Sequence, residues 1–107
     1  MVFTKVARAD EIPAGTMKKV MVGEKEILVV NLAGKFYAMD GRCGHMQGDL
    51  SAGTLEGSVV TCPRHGSQYE VTTAKALRGP KIVVRMKGID LKTYETKVEG
   101  PDLQVNY

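Results

Sequence analysis

The 107-residue sequence has few of the residues that build disulfide scaffolds, aromatic binding surfaces or membrane spans. It contains two cysteines, two histidines and no tryptophan, and aromatic residues make up 6% of it. Its longest apolar run, residues 27–30, is far shorter than the roughly 18 residues expected of a spanning helix. No secretory signal pattern opens the chain. These absences predict a soluble, cytoplasmic protein that makes no membrane contact.

Helical patterning is also missing. No window of about twelve residues shows clean 3.6-residue periodicity, whereas twelve glycines and four prolines punctuate the chain with turns. A chain of this length forms one domain, and we predict that it is all-β. Short apolar or alternating runs between turn residues predict strands at 2–6, 16–22, 26–32, 36–39, 58–61, 68–72, 82–86, 92–98 and 103–107. The turn Ala33-Gly34-Lys35 predicts a hairpin between the third and fourth of these strands, and one helical turn is predicted at 46–51.

The net charge of +3 is unevenly distributed. Acidic and basic residues balance over residues 1–74, so the excess lies in residues 75–107. This segment could dock an acidic partner or be an ordinary solvated strand or loop. The small excess and the lack of an aromatic platform argue against nucleic-acid binding. The basic residues concerned are Lys75, Arg78, Lys81, Arg85 and Lys87.

All the cysteines and histidines fall in one short stretch, residues 43–65. They form two pairs, Cys43-Gly44-His45 and Cys62-Pro63-Arg64-His65, separated by sixteen residues. Two thiolates and two imidazoles could hold zinc or a pair of irons bridged by sulfide. Zinc fingers usually place their two cysteines together and their two histidines together. Here each arm carries one of each, which favours two arms that straddle an iron–sulfur cluster.

This pattern resembles the signature of the Rieske [2Fe–2S] family, C-x-H followed by C-x-x-H, and Gly44, Pro63, Gly66 and Ser67 match its usual neighbours. The resemblance implies one [2Fe–2S] cluster per chain. It also implies that thiolates bind one iron and neutral imidazoles bind the other. The ligands would be Cys43, Cys62, His45 and His65.

The resemblance also implies groups that surround the cluster. Gly44, Gly48 and Gly66 would let backbone N–H groups approach the sulfurs. Ser67 and Tyr69 match positions that donate hydrogen bonds to a sulfide and a cysteine sulfur in high-potential members. Such donors raise the reduction potential because they stabilise the added electron.

Two departures from the pattern accompany this match. Respiratory Rieske proteins carry a disulfide between the arms, and Gly48 and Arg64 occupy the corresponding positions here. The soluble Rieske ferredoxins also have no such disulfide, but they usually lack the Ser/Tyr pair that this chain carries at Ser67 and Tyr69. We therefore predict a reduction potential inside the family range of roughly −150 to +300 mV rather than at either end.

The fold implied is a Rieske-like antiparallel β-sandwich or barrel with an inserted cluster-binding subdomain. We expect the base at 1–40 and 81–107 and the insertion at 41–80. The implied function is one-electron transfer, with a ferredoxin reductase as donor and an oxygenase or other oxidoreductase as acceptor. No histidine remains for acid–base catalysis, so the chain is not predicted to be an enzyme. Alternatives are a small subunit of a larger oxidoreductase complex and an interaction module held together by zinc.

Overall fold

The computed structural model describes residues 3–42, 48–64, 66–78 and 90–107, and these residues form an antiparallel β protein. Two 3₁₀ turns, Ala9–Glu11 and Leu50–Ala52, are the helical segments of the described part. The described residues contain ten strands: β1 (Phe3–Arg8), β2 (Met17–Val22), β3 (Lys25–Leu32), β4 (Lys35–Asp40), β5 (Thr54–Glu56), β6 (Val59–Thr61), β7 (Gln68–Glu70), β8 (Lys75–Arg78), β9 (Thr93–Glu99) and β10 (Asp102–Asn106).

The larger sheet has six strands in the order β1-β10-β9-β4-β3-β2. Its two edge strands, β1 and β2, contact each other, so the sheet is curled into a nearly closed barrel. Closure of this kind removes most of the free edge of a sheet. The all-β prediction is confirmed for the described residues. None of their helical segments is long and apolar enough to cross a bilayer.

The predicted hairpin between β3 and β4 is confirmed. Leu32 pairs with Lys35, so Ala33 and Gly34 form a two-residue turn. Both have positive φ, at 55° and 94°. This is the arrangement that matches the right-handed twist of antiparallel strands, and glycine adopts it without strain.

The smaller sheet has four strands in the order β5-β6-β7-β8. The sequence predicted β6 and β7 but assigned no strand to β5 or β8. Both are short, at three and four residues, and neither shows a run of alternating apolar residues. Their strand conformation depends on pairing with β6 and β7, which the local sequence does not reveal.

Strand β3 separates two hydrophobic clusters. Ile27 and Val29 face the barrel interior, together with residues such as Leu103 and Val105. Leu28 and Val30 face the opposite way and join a second cluster that includes residues of the smaller sheet. Both faces of the strand are therefore buried, which explains its continuous apolar run. Each such side chain contributes about 1.5–3 kcal/mol when it is buried.

The other predicted strands within the described residues are also present, with ends that differ by a few residues. The predicted strand at 82–86 lies outside the described residues. A helical turn was predicted at 46–51. Residues 46 and 47 lie outside the described part, and the 3₁₀ turn Leu50–Ala52 forms at the end of the predicted range.

Candidate metal centre

One of the four predicted ligands, Cys62, lies within the described residues, whereas Cys43, His45 and His65 lie outside them, as does Gly44. Within the described ranges, no three Cys, His, Asp or Glu side chains converge as a metal site would require. The geometry of the centre is therefore read from Cys62 and from the described residues around the two arms.

Cys62 follows β6 directly and is buried. Its backbone N–H donates to the carbonyl oxygen of Ser67 at 2.8 Å, next to the pairing of Thr61 with Gln68. Residues 62–64 and 66–67 thus lie in the short connection between β6 and β7. Gly66 has a φ of 75° within this loop, a conformation that glycine adopts readily. The hairpin fixes where the second arm leaves the protein core.

Ser67 carries a buried hydroxyl that needs a partner. The residue is 1% exposed, and its Oγ makes no hydrogen bond within the described part of the chain. Leaving a buried polar group unsatisfied costs about 1–3 kcal/mol. A hydrogen-bond acceptor bound beside Cys62 would remove that cost.

Gly48, which follows the first arm in the sequence, lies against residues of the second arm. A Cβ added at this glycine would lie 2.6 Å from Sγ of Cys62 and 3.1 Å from Cδ of Arg64. Real Cβ atoms do not approach other atoms as closely as the first of these distances. The absence of a side chain therefore lets the chain pass next to the thiol. The two positions at which the family pattern departs, 48 and 64, face each other in space.

Tyr69 is fully buried in β7 and pairs with Val60 of β6. It belongs to the same hydrophobic cluster as Cys62, Leu28 and Leu50. Its ring is therefore part of the core beneath the second arm. The predicted role of its hydroxyl as a hydrogen-bond donor to a cysteine sulfur stays a prediction.

Charged residues that no sequence motif marks lie at the two ends of the first arm. Arg42 and Asp49 form an isolated β-bridge on either side of residues 43–47. Nη2 of Arg42 donates to Glu26 at 2.9 Å, and Nζ of Lys19 lies 3.0 Å from Asp49. These residues are far apart in the chain, so no local pattern signals their association.

The pKa values of these groups move in the directions that favour the charged forms. The hydrogen bond from Arg42 lowers the pKa of the Glu26 carboxyl. The hydrogen bond from the Ser51 hydroxyl lowers the pKa of Asp49, and the hydrogen bond from Lys19 lowers it to a smaller extent. The hydrogen bond to Asp49 raises the pKa of Lys19. Both carboxylates and the ammonium are therefore ionised at neutral pH.

The predicted basic segment is described only in part. Lys75 and Arg78 are exposed on β8, while Lys81, Arg85 and Lys87 lie outside the described residues. Neither Lys75 nor Arg78 forms an ion pair within the described ranges, in contrast to most of the lysines and arginines there. Leu77 lies between them and is 56% exposed.

The described residues fit an iron–sulfur group at this place. A buried thiol, a buried hydroxyl with no described partner and a glycine that approaches the thiol together form a small cradle. Thiolate is the donor that iron–sulfur clusters require, and hydroxyl donors suit the charge on their sulfurs.

Comparisons with known proteins agree with this geometry. A family model described as the Rieske [2Fe-2S] domain matches residues 2–95. The biphenyl 2,3-dioxygenase ferredoxin component of Rhodococcus jostii is 35% identical over 106 residues, covering 99% of this chain and 94% of that protein. The ferredoxin component of the naphthalene 1,2-dioxygenase/salicylate 5-hydroxylase systems of a Ralstonia species is 39% identical over 91 residues, covering 85% and 82%.

The fold is matched by a chain in the solved complex of reduced oxygenase and oxidized ferredoxin in carbazole 1,9a-dioxygenase. The TM-score is 0.84 and the identity is 30%, over 97% of this chain and 92% of that one.

Proposed function

Since the chain belongs to the Rieske [2Fe–2S] family, we propose that it is a one-electron carrier of a dioxygenase system, not the component that performs the oxygenation. The family brings one [2Fe–2S] cluster per chain. The observation that carries the proposal is the cradle at Cys62, where Gly48 approaches the thiol and the Ser67 hydroxyl is buried without a described partner.

We assign the cluster ligands as Cys43 and Cys62, through thiolates, and His45 and His65, through neutral imidazoles. When bound, the cluster accepts and releases a single electron. The protein supplies the setting: the β6–β7 hairpin holds the Cys62 thiol in a buried position. Gly48 leaves room for the first arm to lie against it, and Ser67 and Tyr69 supply hydroxyl donors. A donor to sulfur stabilises the reduced state more than the oxidised state.

The proposed partners follow from the names of the relatives. Those proteins are ferredoxin components of dioxygenase systems, so a reductase is the proposed donor and a terminal oxygenase the proposed acceptor. The exposed cations of β8 lie on the strand that pairs with β7, directly after the second arm. This position supports a role in docking.

The proposed division of the chain places the base at 1–40 and 81–107 and the cluster-binding subdomain at 41–80. The composition of the two sheets supports it, because the six-stranded sheet uses strands from both ends of the chain and the four-stranded sheet uses β5–β8. A cytoplasmic location is part of the proposal as well. Two cysteines that both bind iron leave none for disulfides, as is usual in reducing compartments.

Spectroscopy of the purified protein is the first test. We expect a red-brown protein with two irons and two acid-labile sulfides per chain. Its reduced form should give an average EPR g value lower than that of clusters held by four cysteines, because two imidazoles replace two thiolates. A colourless protein that contains zinc would contradict the proposal and identify the zinc-held interaction module.

Reconstitution is the second test. Addition of the protein to a reductase and a terminal oxygenase of the biphenyl or naphthalene type should restore substrate-dependent oxygen uptake. Copurification with a fixed oxidoreductase subunit in native gel filtration, without activity in this assay, would identify the alternative of a dedicated subunit.

A further inference from the structure

We propose that Lys19, Glu26, Arg42 and Asp49 form an ionic clasp that positions the first ligand arm, residues 43–47, on the barrel. The inference rests on the proposed function in one respect, the assignment of Cys43 and His45 as ligands. The clasp itself lies entirely within the described residues.

The four residues lie in a ring in which three links are ion pairs between side chains and the fourth is a backbone bridge. Arg42 donates to Glu26 through Nη2 at 2.9 Å. Nζ of Lys19 lies 3.2 Å from Glu26 and 3.0 Å from Asp49. The fourth link is made by the backbone, since Asp49 and Arg42 pair in an isolated antiparallel β-bridge. Two cations and two carboxylates alternate around it, so each charge has opposite charges as its neighbours.

The ring connects two parts of the molecule. Lys19 and Glu26 lie on β2 and β3, which are strands of the barrel. Arg42 and Asp49 stand on the two sides of the first arm. The residues at both ends of the arm are therefore joined by ion pairs to the same two barrel strands, β2 and β3.

Backbone contacts bring the ends of the arm to the clasp. The N–H of Gly41 donates to the carbonyl oxygen of Glu26 at 3.0 Å, and the N–H of Leu50 donates to Gly41 at 3.1 Å. A Cβ at Gly41 would lie 3.1 Å from the Glu26 carbonyl oxygen. Asp49 also accepts from the backbone N–H of Ser51 at 3.0 Å and so caps the 3₁₀ turn that follows.

Partial burial separates the clasp from the other ion pairs of β2. The carboxylate side chains of Glu26 and Asp49 are 20% and 29% exposed, whereas Lys19 and Arg42 are 32% and 41% exposed. In the neighbouring pair, Lys18 and Glu11 are 46% and 40% exposed and hold the 3₁₀ turn Ala9–Glu11, far along the chain from the arm. Single exposed pairs contribute little, whereas a connected set of ion pairs with partly buried carboxylates, placed at both ends of a loop, restricts the motion of that loop.

The test compares Lys19→Met with Lys18→Met, which removes the same charge from the next position of the same strand. The holoprotein is challenged with an excess iron chelator at a temperature well below unfolding, and bleaching of the visible absorbance gives the rate of cluster loss. We expect Lys19→Met to lose the cluster about five- to tenfold faster than wild type, because Asp49 loses the ammonium that pairs with it and Glu26 keeps only Arg42. Lys18→Met should bleach at the wild-type rate.

Two additional readouts distinguish positioning from general stability. The EPR line shape of the reduced protein should change in Lys19→Met, and Lys19→Arg should restore both the line shape and the rate of loss. Added salt at about 1 M should narrow the difference between wild type and Lys19→Met, because it screens the ring.

Equal rates of cluster loss in the Lys19→Met and Lys18→Met proteins would overturn the proposal. If Lys19→Met does not fold, the near-isosteric Glu26→Gln decides, at a temperature at which this variant is still fully folded: faster cluster loss than in wild type supports the clasp, and an unchanged rate contradicts it. Failure of the proposed function is distinguishable, because the wild-type protein would then contain no iron–sulfur cluster before any chelator is added.

Discussion

Ser67 is the residue whose surroundings bear most directly on the electron-carrying chemistry. Its hydroxyl is buried and lacks a partner within the described residues, and its carbonyl oxygen accepts from the N–H of Cys62. The hydroxyl is therefore held beside the proposed cluster by the same hairpin that holds a proposed ligand.

Ser67→Ala should lower the reduction potential. If the lost hydrogen bond favours the reduced state by about 1 kcal/mol, the potential falls by about 40 mV for one electron. A redox titration of the purified protein measures the shift. Ser58→Ala is the control, since the Ser58 hydroxyl donates to Glu70 instead. A Ser67→Ala potential equal to that of wild type would mean that the hydroxyl does not interact with the cluster.

Gly48 provides a second prediction at the same scale. Gly48→Ala should abolish or strongly reduce cluster incorporation, because the new Cβ would lie 2.6 Å from Sγ of Cys62. Gly57→Ala is the matched control: Gly57 has a φ of 59° and no atom within 4 Å of an added Cβ. The Gly57→Ala protein should lose about 1–2 kcal/mol of stability because of backbone strain, but it should retain its iron. Iron and sulfide analysis of both proteins measures the difference, and full iron content in Gly48→Ala would contradict the steric argument.

At the scale of elements, Asp40 connects the end of β4 to the start of β9. Its carboxylate accepts from the Tyr94 hydroxyl at 2.7 Å and from the Lys92 N–H at 3.0 Å. Its own N–H donates to the Lys92 carbonyl oxygen. Because β4 leads into the first arm, these contacts fix the direction in which the chain leaves the barrel.

The ionised state of Glu26 makes the stability of these elements depend on pH. Its hydrogen bond from Arg42 lowers the pKa of Glu26 in the folded protein. The folded state therefore binds the proton less tightly than the unfolded chain. The resulting stabilisation is present above the ordinary glutamate pKa of about 4.3 and is lost as the pH falls through the lowered value.

Glu26→Gln should therefore be less stable than wild type at pH 7, and the difference should narrow as the pH is lowered below 4. Urea denaturation followed by circular dichroism at several pH values measures it. Glu95→Gln is the control, because Glu95 is exposed on β9 and has no ion pair among the described residues. If the difference in the free energy of unfolding between wild type and Glu26→Gln stays constant down to pH 3, the proposed dependence of stability on the ionisation of Glu26 is wrong.

Local patterns predicted the longer strands and the hairpin at Ala33-Gly34, because apolar alternation and turn residues act over a few positions. They missed β5 and β8, whose conformation depends on neighbours in the smaller sheet. The pairing of cysteine with histidine indicated the kind of centre from spacing alone. Lys19 and Asp49 are thirty positions apart in the sequence, so no short pattern could reveal their association.

At the scale of the whole molecule, the charge excess predicted for the second part of the chain is partly visible. Most cations of the described ranges pair with carboxylates or lie over aromatic rings, whereas Lys75 and Arg78 do neither. Glu70 lies opposite Lys75 in the sheet, but its carboxylate accepts from the hydroxyls of Ser58 and Thr72. The two cations of β8 therefore remain available to a partner.

Replacing both Lys75 and Arg78 with Gln should slow electron transfer to the acceptor about three- to tenfold at low salt, because the positive charges would no longer steer association. The difference should disappear at high ionic strength. Stopped-flow reduction of the oxygenase measures the rate. The control replaces Lys35 and Lys97, on β4 and β9, with Gln, which changes the net charge equally. Identical rates in the two double variants would mean that β8 is not the docking strand.

The two-sided burial of β3 limits how this domain could be reused in protein engineering. Within residues 27–30, two side chains pack inside the barrel, and the other two pack against the hydrophobic cluster that includes residues of the small sheet. A fragment that kept only the loops and the small sheet would lack Leu28, Val30 and Met39, and it would leave Val60 and Tyr69 without the side chains that cover them. Transfer of the proposed cluster-binding subdomain into a new scaffold would therefore require a host protein that reproduces the outer face of the β3–β4 hairpin.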